Sequence, residues 1–311
     1  MIDRFVRRRR IKVIRRRLLR GVYCRRRGWY ASAKRWAQRA SEAAGKADLE
    51  GQTTLLVDLA SLWHGLTCYP EAHECARLAA ELLTAAPDGH DREGLLADAL
   101  LRMGDVERRQ ARHSEAETHL RRAADLVNEA DHVRGTAVQL ALGVLCKETG
   151  RYGEAETCYH EALAHLERHG GQLLMRADAL HNLAGLAHAR GTPEGEQHAR
   201  AAIKVRQSVL GPEHDQVAGD LAVLGAVLTN QGRFVEAEQA LHRALGIFRE
   251  RLGADHYEVA VCQVNLAHLD DLQGRAEQAA WRYGDALRIK RLALGPSHPE
   301  VKHLSATVNA R

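Results

Sequence analysis

Proline is scarce in this sequence, with six in 311 residues, so little in it forbids long helices. Aromatic residues make up only 5% and there are three phenylalanines; a core must therefore be built mainly from alanine, leucine and valine. No apolar run reaches 18 residues, so no membrane-spanning helix is expected. The charged beginning lacks the apolar stretch of a signal peptide, which makes cytoplasmic residence the expectation. Also missing are a phosphate-binding loop, a dinucleotide fingerprint and a nucleophile elbow. Serines, histidines and aspartates occur without a catalytic context, so neither enzymatic activity nor a cofactor is expected. Lysine is rare too, with seven against 38 arginines; with abundant alanine, this is the composition of a GC-rich, bacterial genome. What remains, 45% hydrophobic and 27% charged, describes a folded, helix-favouring chain.

The six cysteines and 18 histidines call for a metal check. His64, Cys68, His73 and Cys75 lie within twelve residues and carry ligand-competent side chains. Their spacing forms no paired zinc-knuckle pattern. Cys75 and Cys158 occupy equivalent places in a recurring pattern, as do Cys24 and Cys146, which reads as small hydrophobic filler. His160, His165 and His169 have no accompanying metalloprotease motif. No metal site and no disulfide is expected.

Charge is unevenly spread. Residues 1–27 hold 13 bases and one acid, Asp3, leaving 32 bases against 39 acids in the rest. Ile11, Ile14, Leu18 and Val22 recur at helical spacing among the arginines, so this stretch reads as a basic amphipathic helix. Three roles compete for it. It is the solvated first helix of the array described next, with residues 1–13 as an extension. Alternatively, Arg7, Arg8, Arg9, Arg10, Arg15, Arg16 and Arg17 contact nucleic acid through phosphates, or they contact an anionic membrane or acidic partner. Trp29, Tyr30 and Trp36 fit packing, and no nucleic-acid-binding motif accompanies the charge.

The strongest signal is repetition. Leu-Gly pairs at 210, 252 and 294 are 42 residues apart and open the phrases LGPEH, LGADH and LGPSH. Ahead of each lies a segment with two small residues seven apart: Ala116/Ala123, Ala155/Ala162, Ala237/Ala244 and Ala279/Ala286, with Ala33/Ala40, Ala72/Ala79 and Gly195/Ala202 as weaker copies. Seven residues are nearly two helical turns, so each pair shares a face, where it admits another helix closely. A second helical pattern precedes each pair, as at Leu142-Gly143, Leu224-Gly225 and Leu266-Ala267. Between the two lie Gly150, Gly191, Gly232 or Gly274, suited to the left-handed end of a helix. The Leu-Gly phrase closes the second helix and starts the next first helix. A lone hairpin of this kind cannot bury its stripe, whereas stacked hairpins can. Seven repeats are expected.

The small pairs, the three LG…H phrases, HNLAGL at 181–186, VNLAHL at 264–269 and QGR make this chain resemble the tetratricopeptide repeat family, in the 42-residue form of kinesin light chains. The resemblance covers about residues 14–304 and leaves 305–311 as a tail. It implies an all-α fold, an α-α superhelix whose concave wall is lined by first helices, and a non-enzymatic scaffold that holds a peptide or helix of a partner protein. A nucleic-acid-associated regulator using the basic helix is the alternative. Homodimerisation through the ends of the stack is a further expectation, since only HPEVKHLSATV follows the last repeat.

On the family pattern, residues around the small first-helix position point into the groove. These are Asp98, Arg102, Asp105 and Arg108 in the third repeat, Lys147 in the fourth, and Asp178, His181, Asn182 and His188 in the fifth. Asn230 follows in the sixth, and Asn265, His268 and Asp271 in the seventh. Asn182 and Asn265 suit capture of an extended peptide because an amide both donates and accepts. The competing reading is that these residues bond only neighbouring helices. Some family members clamp a C-terminal carboxylate with Lys, Asn and Arg on consecutive first helices. That set is absent here, and Ala222, Ala226, Val261 and Val264 at comparable places imply a hydrophobic anchor.

The close crossings lead to a test. Ala244→Leu is expected to overpack the sixth repeat and cost about 1–3 kcal/mol in denaturant unfolding, while Arg249→Lys leaves the midpoint unchanged. Equal midpoints for the two variants would contradict the packing.

Overall fold

The computed structural model describes residues 16–22, 30–44, 49–66, 68–85, 91–128, 130–170 and 172–310. Among them the regular structure is entirely helical, in fifteen helices. The first seven are α1 (16–22), α2 (Tyr30–Ala44), α3 (Leu49–His64), α4 (Tyr69–Ala85), α5 (Arg92–Arg109), α6 (His113–Leu126) and α7 (His132–Glu148). There follow α8 (Tyr152–His169), α9 (Leu173–Arg190), α10 (Gly195–Leu210), α11 (Asp215–Asn230) and α12 (Phe234–Leu252). The last three are α13 (Tyr257–Leu272), α14 (Ala276–Leu294) and α15 (Pro299–Asn309). Odd-numbered helices through α13 are the first helices of seven hairpins and even-numbered ones the second. The chain divides into two compact bodies, residues 1–145 and 146–311.

The small positions do what their spacing requires. Every alanine of the seven pairs is 0% exposed, and Gly195 is buried. The partner positions on first helices are as tight. A Cβ on Gly104 would lie 2.6 Å from Leu120 Cγ, and one on Gly225 would lie 2.5 Å from Leu241 Cγ. The same relation, a missing side chain on the first helix facing a leucine sixteen residues later, thus recurs in both bodies. In the carboxy-terminal body, Leu241, Leu266, Leu269 and Ile289 fill the space that these crossings leave. In the amino-terminal body Leu55, Leu59, Leu100 and Leu120 do so. Each such leucine contributes about 1.5–3 kcal/mol by its removal from water.

Two kinds of connection alternate. Within hairpins, Gly150, Gly191, Gly232 and Gly274 have φ of 70–79°. The residue after each glycine donates its N–H back to the carbonyl five residues earlier, as from Arg275 to Asp270 at 2.8 Å, the longer bond of a left-handed helix stop. Between hairpins, Gly211, Gly253 and Gly295 adopt φ 82–94° with ψ 158–160°, a region that only glycine enters readily. Three residues later His214, His256 and His298 cap α11, α13 and α15. Each imidazole Nδ1 accepts the N–H two residues on, at 3.2–3.3 Å. The recurrent histidine is therefore an N-cap, a role usually taken by Ser, Thr, Asp or Asn.

Helix α15 closes the carboxy-terminal body by burying Val301 and Leu304, while Lys302, His303, Ala306 and Asn309 remain exposed.

The α5–α6 hairpin departs from the glycine rule. In the α5–α6 turn Ala111 stands at φ 58°, where its Cβ crowds the backbone. Ala111→Gly is expected to stabilise the protein by about 1 kcal/mol in urea unfolding, and Gly232→Ala to destabilise it comparably. No gain from Ala111→Gly would contradict this turn geometry.

Candidate functional site

The first-helix face of the carboxy-terminal body carries most of the residues expected to meet a partner, and the structure sorts them into three groups.

The first group is locked in ion pairs. Arg206 on α10 reaches between α9 and α11, where its guanidinium binds Asp178 and the fully buried Asp220. His181 Nδ1 lies 2.8 Å from the same Asp220 oxygen. Asp178 and His181 thus hold neighbouring helices, although both keep an exposed edge. An arginine side chain only 5% exposed beside a carboxylate at 0% is costly to desolvate. Losing one partner of such a pair costs far more than the intact pair contributes.

The second group ties first helices together. Asn230 on α11 donates from Nδ2 to His188 Nδ1 and to the His188 carbonyl, both at 3.1 Å. The His188 ring also hydrogen-bonds the Ala226 backbone, and its pKa is lowered by burial and then by nearby His268 and Lys147. His188 is therefore a neutral imidazole with both nitrogens occupied. Lys147 lies over Gly185, its Nζ 3.3 Å from where a Cβ would be. Asp271 instead joins α13 to its own second helix, accepting the hydroxyl of Tyr283 on α14 at 3.2 Å.

The third group is open. A cavity of ≈ 240 Å³ lies among α9, α11, α13, α14 and α15. Helix α13 supplies Val264, Asn265 and His268, α9 supplies His188, and α11 supplies Ala226 and Thr229. Tyr283 comes from α14, and His303, Leu304 and Thr307 from α15. The structure thus gathers His188, Asn265 and His268 into one site, with Asn230 just behind His188. Ala226 and Val264, read as apolar groove positions, form part of its wall. Asn182 is half-buried on α9 and outside this lining. The sequence reading passed over Tyr283, His303 and Thr307. The α15 residues follow the last repeat of the sequence pattern, and Tyr283 lies on a second helix, away from the first-helix positions that the pattern assigns to the groove.

The amino-terminal body has its own polar first-helix surface. Arg102 pairs with Asp105 at 3.1 Å, and Arg108 is buried. Burial works against the Asp105 charge, but Arg102, His64 and Arg108 together hold its pKa below the usual range. Burial brings His64 down to about 4. Asp98 is joined by Arg134 of α7 at 3.0 Å, and Arg134 also binds Asp91 and Asp131. Of the basic segment, Arg7, Arg8, Arg9, Arg10 and Arg15 lie outside the described residues. Arg16 is exposed, and Arg17 donates to the Arg39 carbonyl at 2.9 Å. Arg20 and Arg39 both stack on Trp36, at 4.8 and 5.2 Å, which joins α1 to α2.

Glu107 of α5 was not anticipated. It is buried, with His119 Nδ1 at 2.7 Å, His73 Nε2 at 3.2 Å and Arg112 at 3.8 Å. His73, a candidate metal ligand by type, is directed at this carboxylate, and among the described residues no cluster could hold a metal ion. Asp270 repeats the arrangement in α13, bound by Arg275 and Arg282. An acid five residues ahead of the turn arginine was a signal present in the sequence, at Glu107/Arg112 and Asp270/Arg275. Burial opposes the Glu107 charge, but hydrogen bonds from His119 and His73 overcome it and bring the pKa to about 2.

Tetratricopeptide repeat profiles match residues 95–168 and 219–292, and a second profile of the same repeat matches 176–216. No curated protein matches the sequence. Among solved structures, BtubC (BKLC) from P. vanneervenii is 22% identical with a TM-score of 0.53, over 75% of this chain and 91% of that one. The apo form of RapI is 12% identical with a TM-score of 0.63, over 89% and 97%. NprR in complex with its cognate peptide NprX is 12% identical with a TM-score of 0.62, over 96% and 86%. At these identities the likeness is one of fold.

The Glu107 cluster predicts an acid limb of stability. Because its folded pKa lies below the usual 4.5, its contribution is complete above that value and is lost as pH falls through about 2. Glu107→Gln is expected to lower stability at pH 6 by about 1.5–3 kcal/mol and to flatten the acid limb in pH-resolved denaturation. An unchanged limb would show that the cluster contributes nothing.

Proposed function

The chain belongs to the tetratricopeptide repeat family, and from that premise we propose that it is a non-enzymatic scaffold that holds a peptide segment of a partner protein. The peptide lies against the first helices of the carboxy-terminal body and is read at the cavity beside Asn265. The observation that carries this reading is the contrast between the polar groups of that face. Asp178, His181, His188, Asn230 and Asp271 are engaged with neighbouring helices. The side chains of Asn265, His268 and His303 surround a cavity and have no hydrogen-bond partner among the described residues. An amide with both donor and acceptor uncommitted, beside an apolar wall, suits a peptide backbone with a side-chain anchor. That NprR, similar in fold, was crystallised with a peptide supports the same reading. The groups a hydrolase or transferase would need, a nucleophile with an oriented base, are not assembled on this face; the Asp220–His181 pair is neutralised by Arg206.

Panning a random dodecapeptide library on the full chain tests the proposal. Enriched peptides should bind the wild type and lose about thirtyfold in affinity on Asn265→Ala with His268→Ala, the effect of two lost contacts of about 1 kcal/mol each. Peptides that bind the double variant equally well would displace the site. A library from which nothing enriches would remove the scaffold reading.

A further inference from the structure

The cavity's hydrogen-bonding inventory is more selective than its size. The hydroxyl of Thr229 donates to the Gly225 carbonyl at 2.8 Å, and that of Thr307 donates to the His303 carbonyl at 3.2 Å. The third hydroxyl, on Tyr283, donates to Asp271 at 3.2 Å. All three protons are committed, so these oxygens offer only lone pairs to a guest. The uncommitted donors are the Asn265 amide and the imidazoles of His268 and His303. Apolar contact comes from Ala226, Val264 and Leu304. No Lys, Arg, Asp or Glu is in the lining.

Each class of guest can be weighed against this inventory. A carboxylate is acceptor-only; the Asn265 amide and the imidazoles can donate to it, but it would also face three oxygens that have no proton to give, with no Lys or Arg in the lining and Asp271 one hydrogen bond behind the wall. An ammonium or guanidinium would find no carboxylate in the lining to replace its lost hydration. A phenylalanine would fill the space but leave the Asn265 amide and the His268 and His303 imidazoles unpaired. An indole donates only, leaving the Asn265 and imidazole N–H groups unanswered. A phenol has an apolar body, gives one proton and accepts another at the same oxygen.

We propose that this cavity is a tyrosine pocket. It seats the phenol of a partner tyrosine between the hydroxyl oxygens of Thr229 or Thr307, which accept, and the Asn265 amide, which donates. The inference rests on the peptide-scaffold reading and deepens it by naming the anchor residue.

Two measurements separate the pocket from the scaffold. First, four libraries with Tyr, Phe, Glu or Lys fixed between random tetrapeptides are panned on the full chain. Tyr is expected to enrich at least about fivefold over each other residue, the scale of one net hydrogen bond. Second, N-acetyl-tyrosinamide and N-acetyl-phenylalaninamide are titrated by ligand-observed NMR against wild type, Thr229→Val with Thr307→Val, and Asn265→Ala. Circular dichroism melts confirm that the variants fold. The tyrosine derivative should bind more tightly to the wild type, and both variants should erase the difference. Enrichment of Phe, Glu or Lys over Tyr overturns the pocket and leaves the scaffold. Selective tyrosinamide binding with no enrichment from any library overturns the scaffold and leaves the pocket. Equal binding of the two derivatives to wild type, or a preference that survives both variants, overturns the pocket.

Discussion

Two helices can approach to backbone contact only where one of them has almost no side chain. That steric constraint underlies the rest of this structure. Ala237 and Ala244 on α12, with Gly225 on α11, mark one such crossing, and the set recurs along the chain. A hydrocarbon core made of leucine needs a close, repeated distance between helices to pack densely. The small residues set that distance. With only three phenylalanines in the chain, there is little bulk available to fill a wider gap.

A stack built this way must turn tightly and repeatedly, and the turns bring their own chemical requirements. The glycine after α10, α12 and α14 takes a backbone conformation that alanine would not adopt without strain. The histidine three residues later accepts a backbone N–H through a neutral nitrogen. Charged residues near the turns follow a related logic. Asp270 is reached by Arg275 from the turn and by Arg282 from the next helix, and Glu107 is reached by Arg112 and two histidines. Each buried carboxylate is thereby given more than one partner from the turn and the helices packed on it, as burial of charge demands.

The same economy of polar groups separates scaffold from site. Along the first-helix face of the carboxy-terminal body, a polar side chain that reaches the next helix is used by it. Asn230 grips His188, and Arg206 grips both Asp178 and Asp220. Beyond α13 this pattern stops, because α15 brings His303 and Thr307 rather than another linking arginine or asparagine. A cavity with unused donors remains between them. Its selectivity comes from what its neighbours have already taken, since three hydroxyls there have their protons directed elsewhere.

The fold was legible in the linear order because small residues seven apart and glycines 42 apart are local requirements, each imposed by one helix or one turn. The repeat number and the helical class follow from those alone. The role of the LG…H histidine was half legible. The sequence placed it at a boundary, but only its backbone geometry made it a cap. The site was legible only as a face. His188, Asn230 and Asn265 were alike in the sequence only as polar residues of first helices expected to face the groove. Tertiary structure decided between them, because whether an amide is free depends on what the next helix carries opposite it, and that partner is some forty residues away. Residues whose partners are near in sequence could be read from the sequence; those whose partners are brought by stacking could not.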